Sequence, residues 1–340
     1  MSAEHDRDRR GADPDRRDSH VGRMDAALEQ IRPVLPTAQA LAAIGNAPIV
    51  DGRLASPLAV VWDGDAASAA TLEVYAEGSL LAAVSRAVYR IVLSHPAFAS
   101  LARLDLDGVA CVDVPSVHLL GDPIPLLAAE GVPRSVRRLG LAVPAMVTHA
   151  GDVGYRGFPA LAPLHRHLDG VEHLDIAACE TLGRLSLTHL RGLRIGSSVS
   201  VRNLRELARA ELPNLESLVL ACDDFAEPEL RLAGVRAVLR SAGLPALREL
   251  ELSDLDVDED QHAELDEQGG DPKPWTPVIA RSALLPRLRR LELAFKDIER
   301  EADLLVRHAA AFAHLEALVL DRGAPIAHPT RASIAAALGR

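Results

Sequence analysis

One six-residue phrase, Leu-x-x-Leu-x-Leu with occasional Val or Ile substitutions, constrains this chain more than any other feature. Its copies occupy residues 101–106, 136–141, 171–176, 190–195, 215–220, 247–252, 288–293 and 315–320. Side chains two residues apart stand on the same face of a strand, so the Leu-x-Leu pair predicts a short strand with one buried face. The earlier Leu packs the turn that leads into it. A single unit cannot bury these leucines alone, and eight copies predict stacking of each unit on its neighbours. A ninth phrase at 182–187 crowds the copy that follows it.

Counted from the middle Leu, successive copies lie 35, 35, 19, 25, 32, 41 and 27 residues apart, so the repeats are irregular and carry insertions. Composition agrees with stacking. Hydrophobic residues make up 48% of the 340-residue chain but aromatics only 3%, which suits many thin aliphatic layers better than a few large anchors. Between the phrases, Val201, Leu204, Leu207 and Ala208 follow a Ser200 cap, and Leu230, Val235, Val238 and Leu239 follow Pro228. Ile298, Ala302, Leu305 and Ala309 form a third helical stretch.

Before the first phrase, 58–62 and 71–76 read as short strands around Asp63-Gly64-Asp65. Residues 79–94 carry Leu80, Leu81, Val84, Val88, Ile91 and Val92 at helical spacing behind a Ser79 cap. The expected organisation is a disordered charged tail at 1–23, an α/β cap at 24–95, the repeats at 96–322, and a capping helix at 323–340 begun by Thr330.

These phrases resemble the leucine-rich-repeat superfamily, whose consensus continues Leu-x-x-Leu-x-Leu-x-x-Asn/Cys. Residues 171–179, VEHLDIAAC, fit the full form, and 181–224 are similar to a set of uncharacterised bacterial leucine-rich-repeat proteins. The resemblance covers about residues 98–322. It implies an α/β leucine-rich-repeat solenoid with short parallel strands on a concave face and irregular helices on the convex side. It also implies a non-enzymatic surface for binding a protein or peptide. At the Asn/Cys position the other copies show Val109, Pro144, Ser198, Asp223, Leu255, Lys296 and Gly323, a departure from the family's ladder of buried Asn.

Strand alternation predicts which residues face outward for a partner: Arg103, Asp105, Arg138, His173, Asp175, Arg194, Glu249, Glu251, Arg290 and Glu292. The face offers Arg anchors without aromatics. The competing reading is a solvated sheet face. A second candidate surface is the insertion within the 41-residue interval, where 253–272 hold nine acids and no Lys or Arg. Asp254, Asp256, Asp258, Asp260 and Glu267 belong to it, and it suits a basic partner in assembly. Aligning Asp256, Asp258, Asp260 and Glu267 as a calcium loop puts Gln261 where Gly is needed.

His165, His167, His173 and Cys179 offer donor atoms for zinc, but the spacing straddles a turn and a strand, and no metal or cofactor is expected. No nucleophile elbow, phosphate-binding Gly-rich loop, dinucleotide fingerprint or His-Glu-x-x-His motif is present, so an enzyme is not expected. A hydrolase whose site assembles only in space is the remote alternative. A formal charge of −11 argues against nucleic acid. Cys111, Cys179 and Cys222 form no close pair, and no apolar run approaches membrane length, so a reducing, cytoplasmic setting without membrane contact is expected.

Overall fold

In the computed structural model, the seven phrases from 136–141 onward form parallel strands, paired in the order in which they occur along the chain. The structure describes residues 49–50, 53–54, 58–64, 66–74, 82–94, 96–108, 122–142, 146–147, 153–154, 158, 160–177, 179–196, 199–221, 228–253, 255, 274–295, 298–320 and 328–339. Two compact units divide at residues 121 and 122.

The first unit holds β1 (Leu58–Asp63), β2 (Ala66–Val74), α1 (Ala82–Ser94) and β3 (Arg103–Gly108). β1 and β2 form an antiparallel hairpin whose turn uses Gly64 at φ +62°, and β2 pairs in parallel with β3. The phrase at 101–106 therefore groups with this unit, where Leu101, Leu104 and Leu106 are fully buried. The 1–23 tail and Ser79 lie outside the described residues.

The second unit runs α2 (Pro123–Glu130), β4 (Arg138–Ala142), β5 (His173–Ile176), β6 (Gly192–Ile195) and α3 (Val201–Leu207). Then come β7 (Ser217–Ala221), α4 (Pro228–Leu239), β8 (Glu249–Ser253), α5 (Thr276–Ala280) and β9 (Arg290–Leu293). It ends with α6 (Ile298–Arg307), α7 (Ala309–Phe312), β10 (Ala317–Val319) and α8 (His328–Ala337). Strands β4 to β10 pair in sequence with no slip, so Leu139, Leu174, Leu193, Leu218, Leu250, Leu291 and Leu318 form one row.

Register here follows from burial, because a slip of one residue would turn every Leu to solvent. Each phrase but the last contributes three buried residues, as at Leu215, Leu218 and Leu220, all with no exposed area. Only the last strand relaxes, leaving Leu318 half-buried. Ahead of most strands one carbonyl accepts two N–H groups from the next phrase. Arg191 O takes the N–H groups of Glu216 and Ser217, and Glu216 O takes those of Arg248 and Glu249.

The 182–187 phrase behaves differently. Leu182, Leu185 and Leu187 are buried, but Ser186 makes only an isolated parallel bridge to Glu211 and never joins the sheet. Period-two burial therefore marks this segment without making it a sheet strand. Thr330 is not a cap either, since α8 already begins at His328. Pro329 explains the earlier start, because its fixed φ suits the first helical turn. Ser200 does cap α3, its Oγ accepting from the Asn203 N–H at 3.1 Å.

Two contacts hold the connections close. A Cβ at Gly243 would lie 1.9 Å from the Ala210 carbonyl oxygen, so only glycine permits that backbone approach. The Glu206 carboxylate in α3 gathers the 181–183 turn, accepting from Thr181 Oγ1 at 2.8 Å, Leu182 N at 2.8 Å and Gly183 N at 2.9 Å, while Arg202 Nε donates at 3.1 Å. Burial works to raise its pKa, but these donors outweigh it and hold the carboxyl below its ordinary value of 4.5.

Gly243→Ala is expected to destabilise the protein by about 1–3 kcal/mol through overpacking against backbone, read from the urea midpoint. Glu206 contributes stability that is present above the unfolded carboxyl pKa and lost as pH falls through its lower folded value. The gap in urea midpoint between wild type and Glu206→Gln should therefore be wide at neutral pH and close as the pH drops below 4.5. A gap unchanged by acid would show that the charge of Glu206 does not hold the turn.

Candidate functional site

The side of β4 to β10 opposite the leucine rows carries the residues that sequence alternation assigned to it. One cross-strand row reads Arg138, His173, Gly192, Ser217, Glu249, Arg290 and Ala317. The next reads Gly140, Asp175, Arg194, Val219, Glu251, Glu292 and Val319. Arg138, Asp175, Arg194, Glu249 and Arg290 are exposed, and His173 and Glu251 are half-buried.

Charge is graded along these rows. β4 to β6 carry Arg138 and Arg194 against the single acid Asp175, whereas β8 and β9 carry Glu249, Glu251 and Glu292 against Arg290. Ser217 and Val219 on β7 separate the two ends without charge. Arg194 Nε lies 3.9 Å from Asp175 Oδ1, a loose pair between two exposed side chains that contributes little to stability.

Glu292 departs from the outward reading. It is 2% exposed, and its Oε2 accepts from Arg290 Nη2 at 3.0 Å, two residues away on the same face. Its carboxylate serves to hold Arg290 and offers little surface to a partner. Arg103 and Asp105, in the first unit, also pair with each other, at 2.8 Å. Asp107 beside them has its pKa raised by burial and by the Asp105 charge.

His173 has the most constrained setting. A Cβ at Gly192 would fall 2.4 Å from its Nδ1, so the imidazole lies directly over the glycine, which it buries. Burial pushes its pKa below 6.5, and Arg138 and Arg191 push the same way against Glu172 and Glu216.

Sequence alternation missed a further row at the strand entrances, the first x of each phrase. Arg137 and Glu172 lie 3.5 Å apart, Arg191 and Glu216 3.4 Å, and Arg289 and Glu316 3.7 Å. This rim, in which Arg and Glu alternate except at the neighbours Arg248 and Arg289, borders the graded face. Its signal was visible, since Arg and Glu alone fill that position in all seven phrases of the second unit.

The His165, His167, His173 and Cys179 group does not converge. His165 Nε2 donates to the Leu182 carbonyl at 3.0 Å, and His167 Nε2 accepts from Arg166 Nε at 2.9 Å. Cys179 is buried, its thiol pushed up to about 11 by burial, and its Sγ donates to the Thr181 carbonyl. Asn203 Nδ2 donates to the Cys179 carbonyl, which ties this turn to α3. Among the described residues, no group of three or more His, Cys, Asp or Glu side chains is placed to hold a metal ion. Asp254, Asp256, Asp258, Asp260 and Glu267 lie outside the described residues. No helix among the described residues is long and apolar enough to cross a membrane.

A scan against protein-family models gave no match, and a search of curated proteins gave none either.

Gly192→Ala should force the His173 ring off its seat and into solvent, raising its pKa toward 6.5. Proton NMR titration of the His173 ring protons in wild type and variant checks this. An unmoved pKa would mean that contact with Gly192 does not set the environment of the ring.

Proposed function

We propose that this chain is a leucine-rich-repeat solenoid serving as a non-enzymatic protein-interaction scaffold in the cytoplasm. Its binding surface is the exposed sheet face of β4 to β9, with its rim and adjoining loops. The graded face is the observation that carries this reading. Six in-register strands present side chains that, Glu292 apart, packing does not bury, and their charge runs from net basic to net acidic across a neutral middle. A random solvated face needs no such order.

The fitting ligand is an extended protein segment with acidic residues toward β4 to β6 and basic residues toward β8 and β9. Charge complementarity of this kind governs orientation and association rate more than raw affinity. Small residues next to the charged rows, Ala142, Ala177, Gly196, Ser253 and Ala294, let a partner backbone approach the sheet.

Selection of a displayed random-peptide library on the full chain tests this. Enriched peptides should be acidic at one end and basic at the other, and binding should weaken with salt. Arg138→Glu with Arg194→Glu should weaken them about tenfold or more, and Glu249→Lys with Glu251→Lys should do likewise. Peptides indifferent to both pairs but lost on deleting 254–271 would move the function to the acidic insertion as an assembly element.

A further inference from the structure

Away from the sheet face, α4 and α5 enclose a half-open cleft of about 370 Å³. Arg236 and Arg240, one turn apart at the end of α4, line one wall, and Arg281 and Ser282, just after α5, line the other. Leu239 and Val278 give the cleft an apolar side. Among the described residues no carboxylate lines it, in a chain whose acids outnumber its Lys and Arg by 48 to 37.

What sets these three arginines apart is that they gather at one cleft without an acidic partner. Arg137, Arg184, Arg191, Arg202 and Arg289 each pair with a glutamate. Arg236, Arg240 and Arg281 have no side-chain hydrogen bond or ion pair among the described residues. The C-terminal end of α4 favours cations and accounts for one of them. It does not account for a like-charged neighbour four residues away, which is unfavourable on a helix, nor for a third arginine arriving from another element.

Ser282 adds an independent element. It is 8% exposed, and its Oγ accepts from the Leu285 N–H at 3.0 Å, which orients the side chain and leaves the hydroxyl proton to donate. The cleft thus holds three guanidinium forks, one buried hydroxyl and an apolar wall.

We propose that this cleft binds the phosphate group of a small organic molecule whose apolar body rests against Leu239 and Val278. Guanidinium forks match phosphate oxygens in pairs, and a carboxylate has too few oxygens to engage three of them. The volume falls in the range of small-molecule sites, about 300–1,000 Å³. This site is separate from the sheet face, so the two assignments stand or fall independently.

Titration calorimetry on the full chain, with phenyl phosphate, inorganic phosphate and benzoate at matched ionic strength, tests it. Phenyl phosphate should bind saturably at one site, with inorganic phosphate and benzoate each weaker by about tenfold or more. Replacing Arg236, Arg240 and Arg281 together by Gln should abolish binding, whereas Arg184→Gln on another exposed face should leave it unchanged. Arg281→Lys keeps the charge but loses the fork, and should weaken binding several-fold with the fold intact by circular dichroism.

Three results would overturn the proposal. One is no saturable heat at about 10 mM phenyl phosphate, where binding of any useful affinity would register. Another is undiminished binding in the folded triple variant or, should that variant not fold, in Arg281→Lys. The third is benzoate binding as tightly as phenyl phosphate.

Discussion

A strand of three to five residues cannot satisfy its own backbone, and the second unit follows from that constraint. Strands β5 to β9 each lie between two other phrases in register, which is where their backbone N–H and C=O groups find partners. The shared carbonyls ahead of the strands, such as Arg191 O and Glu216 O, begin this pairing before the strand proper. Burial and hydrogen bonding then point to one alignment. The leucines can face inward together only when the backbones match, and the backbones match only when the leucines do.

Once three positions of each phrase are committed to the interior, the remaining ones are free to carry charge. The outward positions become the graded face, and the first x becomes the rim of Arg and Glu. Helices such as α3 answer a different need. Glu206 and Asn203 reach from α3 to the turn at 179–183, fastening a connection that the sheet itself does not touch.

Much of this could be read from the sequence, because period-two burial is a local signal that a repeated phrase amplifies. The strands, the outward row and the Ser200 cap follow from residue spacing alone. What escaped depends on contacts between residues distant in the chain. Residues 182–187 bury their leucines as a strand would, yet spacing cannot say that the neighbouring backbone is Glu211 alone. Glu292 alternates outward but is covered, and only its geometry with Arg290 reveals its task. The arginine cleft joins 236–240 to 281–282 across the acidic insertion, so no local motif announces it. At α8 the sequence offers two starts side by side, a capping Thr330 and Pro329 in a first turn, and spacing alone does not choose between them.

The intervals between strands vary from 19 to 41 residues while the register along the sheet never slips. Length variation is thus confined to the connections, and it stops wherever backbones touch, as at Gly243 and Ala210. Such a chain is modular in an uneven way. It can lengthen a connection, as it has between Ser253 and Arg290, without rewriting the lattice of side chains on the sheet. Recognition by that lattice and whatever an inserted loop does are therefore separable in inheritance, each able to change while the other is kept.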